Sequence, residues 1–194
     1  MSPLDIVYYV AASLDGFIAT PDGGVDWLAP FEGGDEDYGY AAFYAAVDAL
    51  LLGRRTYEQA LGFGAWPYDD KPCWVFSRRT LPGAPARVTA TAASPREVVD
   101  GLARRGVGRA WLVGGGELAG SFRDQGLITD YMVSVVPVVL GAGVPLFGAV
   151  AGARAVRGER LRLVESAAFE SGIVQLHHRR LDERPLDDQA PTAR

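Results

Sequence analysis

Apolar residues in this chain come in short, dense runs separated by glycine, proline and charge, and each run has the length of a strand. Ile6 to Ala12 (IVYYVAA) is apolar at consecutive rather than alternate positions, which predicts a central strand covered on both faces. Asp48 to Leu52 (DALLL), Trp74 to Ser77 (WVFS), Arg87 to Thr91, Arg109 to Val113 (RAWLV) and Tyr131 to Leu140 are further strands. Helical spacing occupies Tyr38 to Val47, resumes after Gly53, runs from Ser94 to Arg105 and opens again at Glu117. Ser94-Pro95-Arg96-Glu97 is a capping box with proline at the first helical position. Leu161 to Glu170 and Ile173 to Leu181 pair as a hairpin across Ser171-Gly172. The order is β-α-β-α-β-β-α-β-α-β and then the hairpin. It predicts an α/β fold with one mixed, mostly parallel sheet, helices on both faces and an antiparallel ribbon last. Residues 1–181 are expected to form a single domain, and the polar residues 182–194, with their two prolines, a disordered tail.

Chemistry concentrates at the strand ends. Val113 ends a buried strand, and Gly114, Gly115 and Gly116 then let the backbone turn and approach a ligand that a side chain would block. The helix opening at Glu117 would aim its first N–H groups at that ligand, which favours an anion. Gly53-Arg54-Arg55-Thr56 and Ser77-Arg78-Arg79 are two more strand ends rich in anion donors, and phosphate is the anion they suggest. Gly114, Gly116 and Ala119 also fit G-x-G-x-x-A, yet the acid that this dinucleotide pattern requires is missing from Met132 to Leu140. Ser13 to Pro30, with Asp15-Gly16 and Asp22-Gly23-Gly24, reads as a long functional loop returning past the first strand.

Bulk properties narrow the classes. A net charge of −5 leaves no basic stripe for nucleic acid. Lys71 is the sole lysine, and the GK[ST] of a P-loop is absent. Cys73 stands alone, so no internal disulfide or thiol metal cluster forms, and it suits a small apolar filler. Strand-like residues begin by Ile6 with no signal peptide before them, which gives a cytoplasmic expectation. The uncharged span Tyr131 to Ala153 contains Pro137 and Pro145, and reads as strand and loop rather than as a membrane helix.

Four motifs in register, SLDGFIA (Ser13–Ala19), GRRTYE (Gly53–Glu58), FSRR (Phe76–Arg79) and VGGGEL (Val113–Leu118), resemble the dihydrofolate reductase-like family. The resemblance covers about Ile6 to Leu181. It is closest to the reductase domain forming the C-terminal half of bacterial bifunctional riboflavin-biosynthesis deaminase-reductases, and to its stand-alone relatives. It implies a three-layer fold with NADPH lying across the carboxyl edge of the sheet. Gly53, Arg54, Arg55 and Thr56 would hold the pyrophosphate and the 2′-phosphate, and Ser77 and Arg78 would flank the 2′-phosphate. Gly114, Gly115 and Gly116, with Val113 before them and Glu117 and Leu118 after, would cradle the pyrophosphate. Ala11 and Ile18 would meet the nicotinamide carboxamide through their backbones. Guanidinium forks suit phosphate, so NADP is expected to outcompete NAD.

The implied reaction is hydride transfer to a pyrimidine- or pterin-like small molecule, as in 5-amino-6-(5-phosphoribosylamino)uracil reductase. A dihydrofolate reductase-type activity and a non-catalytic NADP-binding module are the alternatives. Folate reductases keep an acid in W-x-x-P-x-[DE], and Trp27 to Glu32 fits that spacing. Glu32 is therefore the candidate proton donor, with Asp26, Asp35 and Asp37 as competitors and a solvated acidic loop as the plainer reading. Asp15 is a turn residue or a second catalytic candidate, and Trp27 a substrate contact. Trp66 also sits in a loop and could line the pocket, whereas Trp74 and Trp111 read as core. His177 and His178 suit an exposed edge or a dimer contact, and no metal site is expected. The apolar face of the last hairpin, Ile173, Val174 and Leu176, would need covering, which suggests a homodimer. No H-x-E with P-C-x-x-C, the deaminase signature, occurs in this sequence.

Overall fold

The structure, a computed structural model, describes residues 4–32, 36–68, 70–148 and 158–181. The tail expected over 182–194 lies outside the described residues, as does Asp35. In chain order the strands are β1 (Asp5–Ser13), β2 (Phe17–Ala19), β3 (Ala49–Gly53), β4 (Cys73–Phe76), β5 (Val88–Thr91), β6 (Arg109–Gly114), β7 (Asp130–Val136), β8 (Val144–Pro145), β9 (Leu161–Ala168) and β10 (Val174–Arg180). The helices are α1 (Tyr40–Ala45), α2 (Arg54–Gly62), α3 (Pro95–Arg104) and α4 (Gly116–Asp124), and a 3₁₀ turn spans Asp26–Phe31.

Eight strands form one sheet in the order β5-β4-β3-β6-β1-β7-β10-β9, parallel from β5 to β7 and antiparallel through β10 and β9. The consecutive apolar runs explain why the central strands are buried on both faces. Ile6, Tyr8, Ala49, Leu51, Ala110 and Leu112 point into one core with Val98, Leu102, Ala119 and Phe122 of α3 and α4. The residues between them, Val7, Leu50, Leu52 and Trp111, point into a second core with Phe43, Val47 and Tyr57. Cys73 is buried in that second core, where desolvation pushes its thiol up to about 12. Trp66 is also core, 5.3 Å from Tyr57 and 5.2 Å from Tyr68 between ring centroids. The capping box of α3 is present, with the Ser94 N–H donating to Glu97 Oε2 at 2.8 Å.

Three features depart from the sequence pattern. β7 stops at Val136 rather than Leu140, because Pro137 has no N–H for the ladder, and the Val138 N–H bonds back to the Val136 carbonyl at 2.7 Å. The loops after β1 and β7 are partly ordered against each other as a small antiparallel ribbon of β2 and β8. Finally, β10 is not the edge. It lies between β7 and β9, so His177 is interior rather than exposed, and among the described residues β9 is the outer strand on that side of the sheet.

His177 Nε2 lies 2.7 Å from Oδ1 of Asp130, which is 0% exposed at the start of β7. Arg179 donates to both oxygens of the same carboxylate, from Nε at 3.0 Å and Nη2 at 3.1 Å. Burial pushes the Asp130 carboxyl up, but the bonds from Arg179 and His177 outweigh it and hold it below the usual carboxylate range. Among the described residues no group of three or more His, Cys, Asp or Glu could hold a metal, and no helix is long and apolar enough to cross a membrane.

Candidate functional site

Strand order places the three phosphate-suited turns side by side. β4, β3 and β6 are neighbours, with Gly53 opposite Phe76 and Leu52 opposite Gly114, so their carboxyl ends form one ledge. α2 begins at Arg54 and α4 at Gly116, each directly after its strand. Arg55 Nη1 reaches Glu117 Oε1 at 3.8 Å across that ledge, and Arg54 Nη1 pairs with Glu58 Oε1 at 3.4 Å along α2. The Ser77 hydroxyl donates to the Arg79 carbonyl at 2.8 Å and accepts the Arg79 N–H at 3.0 Å, which folds the β4 end into a tight turn beside Arg78.

The glycines divide the work. A Cβ on Gly115 would come within 3.3 Å of Thr56 Oγ1, so the absent side chain lets the end of β6 and the start of α2 approach each other closely. The space beside Gly116 is filled by the protein itself. A Cβ there would strike the Pro145 carbonyl oxygen and lie 3.2 Å from the Gly148 nitrogen. Room for a ligand is thus not the reason for Gly116, which instead lets the loop after β8 seat on the start of α4. The Gly114–Gly115 peptide bond is cis.

Beyond β6, on β1 and β7, lies a cavity of about 310 Å³. It exists because α1 is short. Six residues give a helix of about 9 Å, whereas the nine of β1 extend for about 30 Å, so α1 cannot cover the carboxyl half of β1. The 3₁₀ turn closes over the uncovered part with Leu28 and Phe31, and Glu32 caps that turn at the cavity wall. Tyr9, Val10 and Ala11 of β1, Ser134 and Val136 of β7 and Trp111 of β6 make the floor; Asp37, Tyr38 and Tyr40 complete the rim.

Polar groups in the floor are held by one amide. Gln175 Nε2 of β10 lies 3.1 Å from Ser134 Oγ, 3.1 Å from the Tyr38 carbonyl and 3.3 Å from Tyr9 Oη. Tyr9 Oη itself is 3.3 Å from that carbonyl. Burial is the main cause that raises the Tyr9 hydroxyl above its ordinary value, so Tyr9 stays neutral. The sequence reading missed this set. Its one visible signal is Ser134, a polar residue inside the apolar run YMVSVV.

The predicted site residues therefore fall into groups. Gly53, Arg54, Arg55, Thr56, Ser77, Arg78, Val113, Gly114, Gly115, Gly116, Glu117 and Leu118 share the ledge, and Ala11 and Glu32 share the cavity. Ile18 lies on β2, outside the cavity wall. Trp27 is on the 3₁₀ turn, but its neighbours Leu28 and Phe31 form the wall instead, and its buried Nε1 has no hydrogen-bond partner among the described residues. Asp15 is committed to the backbone. Its Oδ1 accepts the Ser13 hydroxyl at 2.6 Å and the Leu140 N–H at 3.1 Å, and Oδ2 accepts the Gly141 N–H at 2.7 Å. The Ser13 bond foremost holds its carboxyl below the usual range. Asp37 accepts the N–H groups of Ala41 and Gly39, which lower it likewise.

Comparison with known proteins gives one consistent family. The model of the RibD C-terminal domain matches residues 65–175. The uncharacterized protein YwjB of Bacillus subtilis is 38% identical over 173 residues, covering 89% of this chain and 95% of its own. YyaP of the same organism is 31% identical over 183 residues, covering 88% and 92%. Among solved structures, a candidate riboflavin biosynthesis protein of Shewanella sp. PV-4 superposes with a TM-score of 0.81 at 27% identity, over 91% of this chain and 99% of its own. The deaminase/5-amino-6-(5-phosphoribosylamino)uracil reductase of Thermotoga maritima shares the fold, with a TM-score of 0.70 at 14% identity. It is matched over 92% of this chain and 57% of its own.

Proposed function

The chain belongs to the RibD C-terminal domain family, and on that premise we propose that it is an NADPH-dependent reductase of a pyrimidine- or pterin-like small molecule. The observation that carries the reading is the neighbourhood, in one sheet, of the cation-bearing strand ends of β4, β3 and β6 and the cavity on β1 and β7. A dinucleotide needs both, phosphate donors along one stretch and an enclosed place for its reactive ring at the other.

The residues fit the group. Without a Cβ, Gly115 lets the end of β6 come close to Thr56, which follows directly on Arg54 and Arg55, whose guanidinium groups suit phosphate. Arg54, Arg55 and Thr56 would hold the pyrophosphate and 2′-phosphate with Ser77 and Arg78, and Ala11 and Ile18 the carboxamide. Bound NADPH would supply a hydride to an unsaturated carbon of the substrate. The protein's own tasks are then to keep water out and to deliver a proton to the heteroatom. Leu28, Phe31 and Trp111 wall the cavity with apolar surface, and Glu32 is the carboxyl placed on it to pass that proton. Asp15, with its oxygens engaged by Leu140 and Gly141, fastens the loop after β1 to the loop after β7.

Calorimetric titration with NADPH and, separately, NADH tests the reading. NADPH binding at least tenfold tighter supports it, and no binding of either removes it. The reading includes a homodimer. Among the described residues Leu161, Leu163 and Val164 are 40%, 52% and 45% exposed on the outer strand β9, which a second copy would cover. Elution at monomer mass from gel filtration at low micromolar concentration would remove that part.

A further inference from the structure

Gln175 stands on β10 directly opposite Ser134 of β7, so its side chain rises from the face of the sheet that carries the cavity floor. One of the three oxygens around its amide settles which way the amide is turned. The Tyr38 carbonyl, 3.1 Å from Nε2, can only accept, so the group facing it is the NH₂ end. The Tyr9 hydroxyl lies 3.3 Å from the same carbonyl, and two donors therefore converge on it.

The residue that carries this carbonyl is strained. Tyr38 has a φ of 53°, in the left-handed region, and among the described residues it is the one residue other than glycine with a positive φ. A side chain is kept in that conformation only where its surroundings over-determine it. Besides its carbonyl, Tyr38 is held by its ring, edge-on to Phe169 at 4.9 Å between centroids, and by its hydroxyl, which donates to the Phe31 carbonyl at 3.1 Å. The Phe31 carbonyl belongs to the peptide unit that leads into Glu32. At the other side of that planar unit the Glu32 N–H donates to the Ala29 carbonyl at 3.2 Å. With both its oxygen and its nitrogen engaged, the unit narrows the directions in which the Glu32 side chain leaves the backbone.

We propose that Gln175 is a positioning residue for Glu32 and acts through Tyr38: its amide holds the Tyr38 carbonyl, and the Tyr38 hydroxyl holds the peptide unit that precedes Glu32. This rests on the reductase reading, in which Glu32 passes the proton, and adds what keeps that carboxyl at the cavity wall. Proton transfer needs the acid within hydrogen-bond reach of its target, so a chain of bonds that fixes the Glu32 backbone bears directly on that step. The last hairpin thereby serves the site from outside the cavity lining.

The test is amide hydrogen exchange followed by mass spectrometry, on the full chain without ligand, for the native protein, Tyr38→Phe and Gln175→Glu. Tyr38→Phe keeps the ring and removes the bond to the Phe31 carbonyl. Gln175→Glu keeps the shape of the side chain and, when ionised, has no donor for the Tyr38 carbonyl. Exchange between Leu28 and Glu32 is expected to quicken about fivefold or more in each variant, with Leu50 to Leu52 of β3 within about twofold of native. As pH is lowered and the introduced carboxyl takes up a proton, it regains a donor. The ratio of Gln175→Glu to native exchange should then fall toward one, a response that loss of packing alone would not give. Unchanged exchange in the 3₁₀ turn, acceleration spread equally over the chain, or a ratio that ignores pH overturns the proposal. If NADPH fails to bind, the reductase reading falls, while the exchange rates, taken without ligand, still decide whether Gln175 and Tyr38 hold the backbone at Glu32.

Discussion

The α-carbon of Gly116 faces the carbonyl oxygen of Pro145 so closely that a methyl group cannot be inserted between them. The first turn of α4 is therefore built against the loop after β8, and the obstacle is backbone, which cannot rotate away. Gly116→Ala is expected to cost about 1–3 kcal/mol, the usual range for overpacking. At about 2–4 °C per kcal/mol for a chain of this size, thermal denaturation should show a loss of roughly 2–12 °C. Gly115→Ala meets only the Thr56 hydroxyl at 3.3 Å, a side chain that can turn. Its melting temperature should fall less than that of Gly116→Ala, while its NADPH affinity drops.

Arg54 and Arg78 stand at adjacent strand ends, β3 and β4. If the proposed cofactor placement holds, replacing either by alanine removes a charge-assisted phosphate contact of about 1.5–3 kcal/mol. NADPH affinity should fall roughly tenfold or more for each change. Affinity for NADH should be nearly unaffected by Arg78→Ala, because the contact is to the 2′-phosphate. A double variant that binds NADPH as tightly as the native chain would show the ledge to be misassigned.

Glu32→Gln keeps the size of the side chain and removes its proton. Turnover of a reducible substrate should drop about 10²-fold or more, with NADPH affinity within twofold of the native value. Unchanged turnover would transfer the proton step to water or to another acid.

Asp130 makes stability depend on pH in a definite direction. Its folded carboxyl lies below the unfolded value of about 3.9, so its contribution is present above that pH and is lost as pH falls through the folded value. Asp130→Asn should therefore be least stable relative to the native chain near neutrality, and the gap should close below about pH 4. Arg179→Ala, which removes the bidentate partner of the Asp130 carboxylate but leaves His177 on it, should cost about 1.5–3 kcal/mol by denaturant unfolding, Arg179 itself being partly exposed.

Much of this was legible in the chain. Consecutive apolar residues such as Leu50, Leu51 and Leu52 are satisfied by a sheet covered on both sides, and the ends of β3, β4 and β6 announced themselves through glycine, arginine or serine. What stayed hidden depended on contacts between distant segments. Nothing local in Gly116 says that its room is taken by Pro145, and nothing in His177 says that it meets Asp130 47 residues away. The same holds for the cavity floor, where Tyr9, Tyr38, Ser134 and Gln175 converge from four segments. Trp27 illustrates the limit of a motif. Its spacing to Glu32 is right, but a 3₁₀ turn rather than an α-helix carries the stretch, and it presents Leu28 and Phe31 to the cavity.

Trp111 has a further consequence. Its Nε1 donates to the Tyr9 carbonyl at 3.0 Å, and its ring lies 5.8 Å from Tyr40, 5.6 Å from Tyr68, 6.1 Å from Tyr9 and 6.4 Å from Tyr44. Light absorbed by Tyr9, Tyr40 and Tyr44 can pass to this indole in the cavity wall, while Tyr68 is shared with Trp66 at 5.2 Å, and indole emission overlaps the absorption band of a reduced nicotinamide. The protein thus carries its own lamp at the place where a ligand would cast a shadow, and occupancy can be watched without attaching a dye.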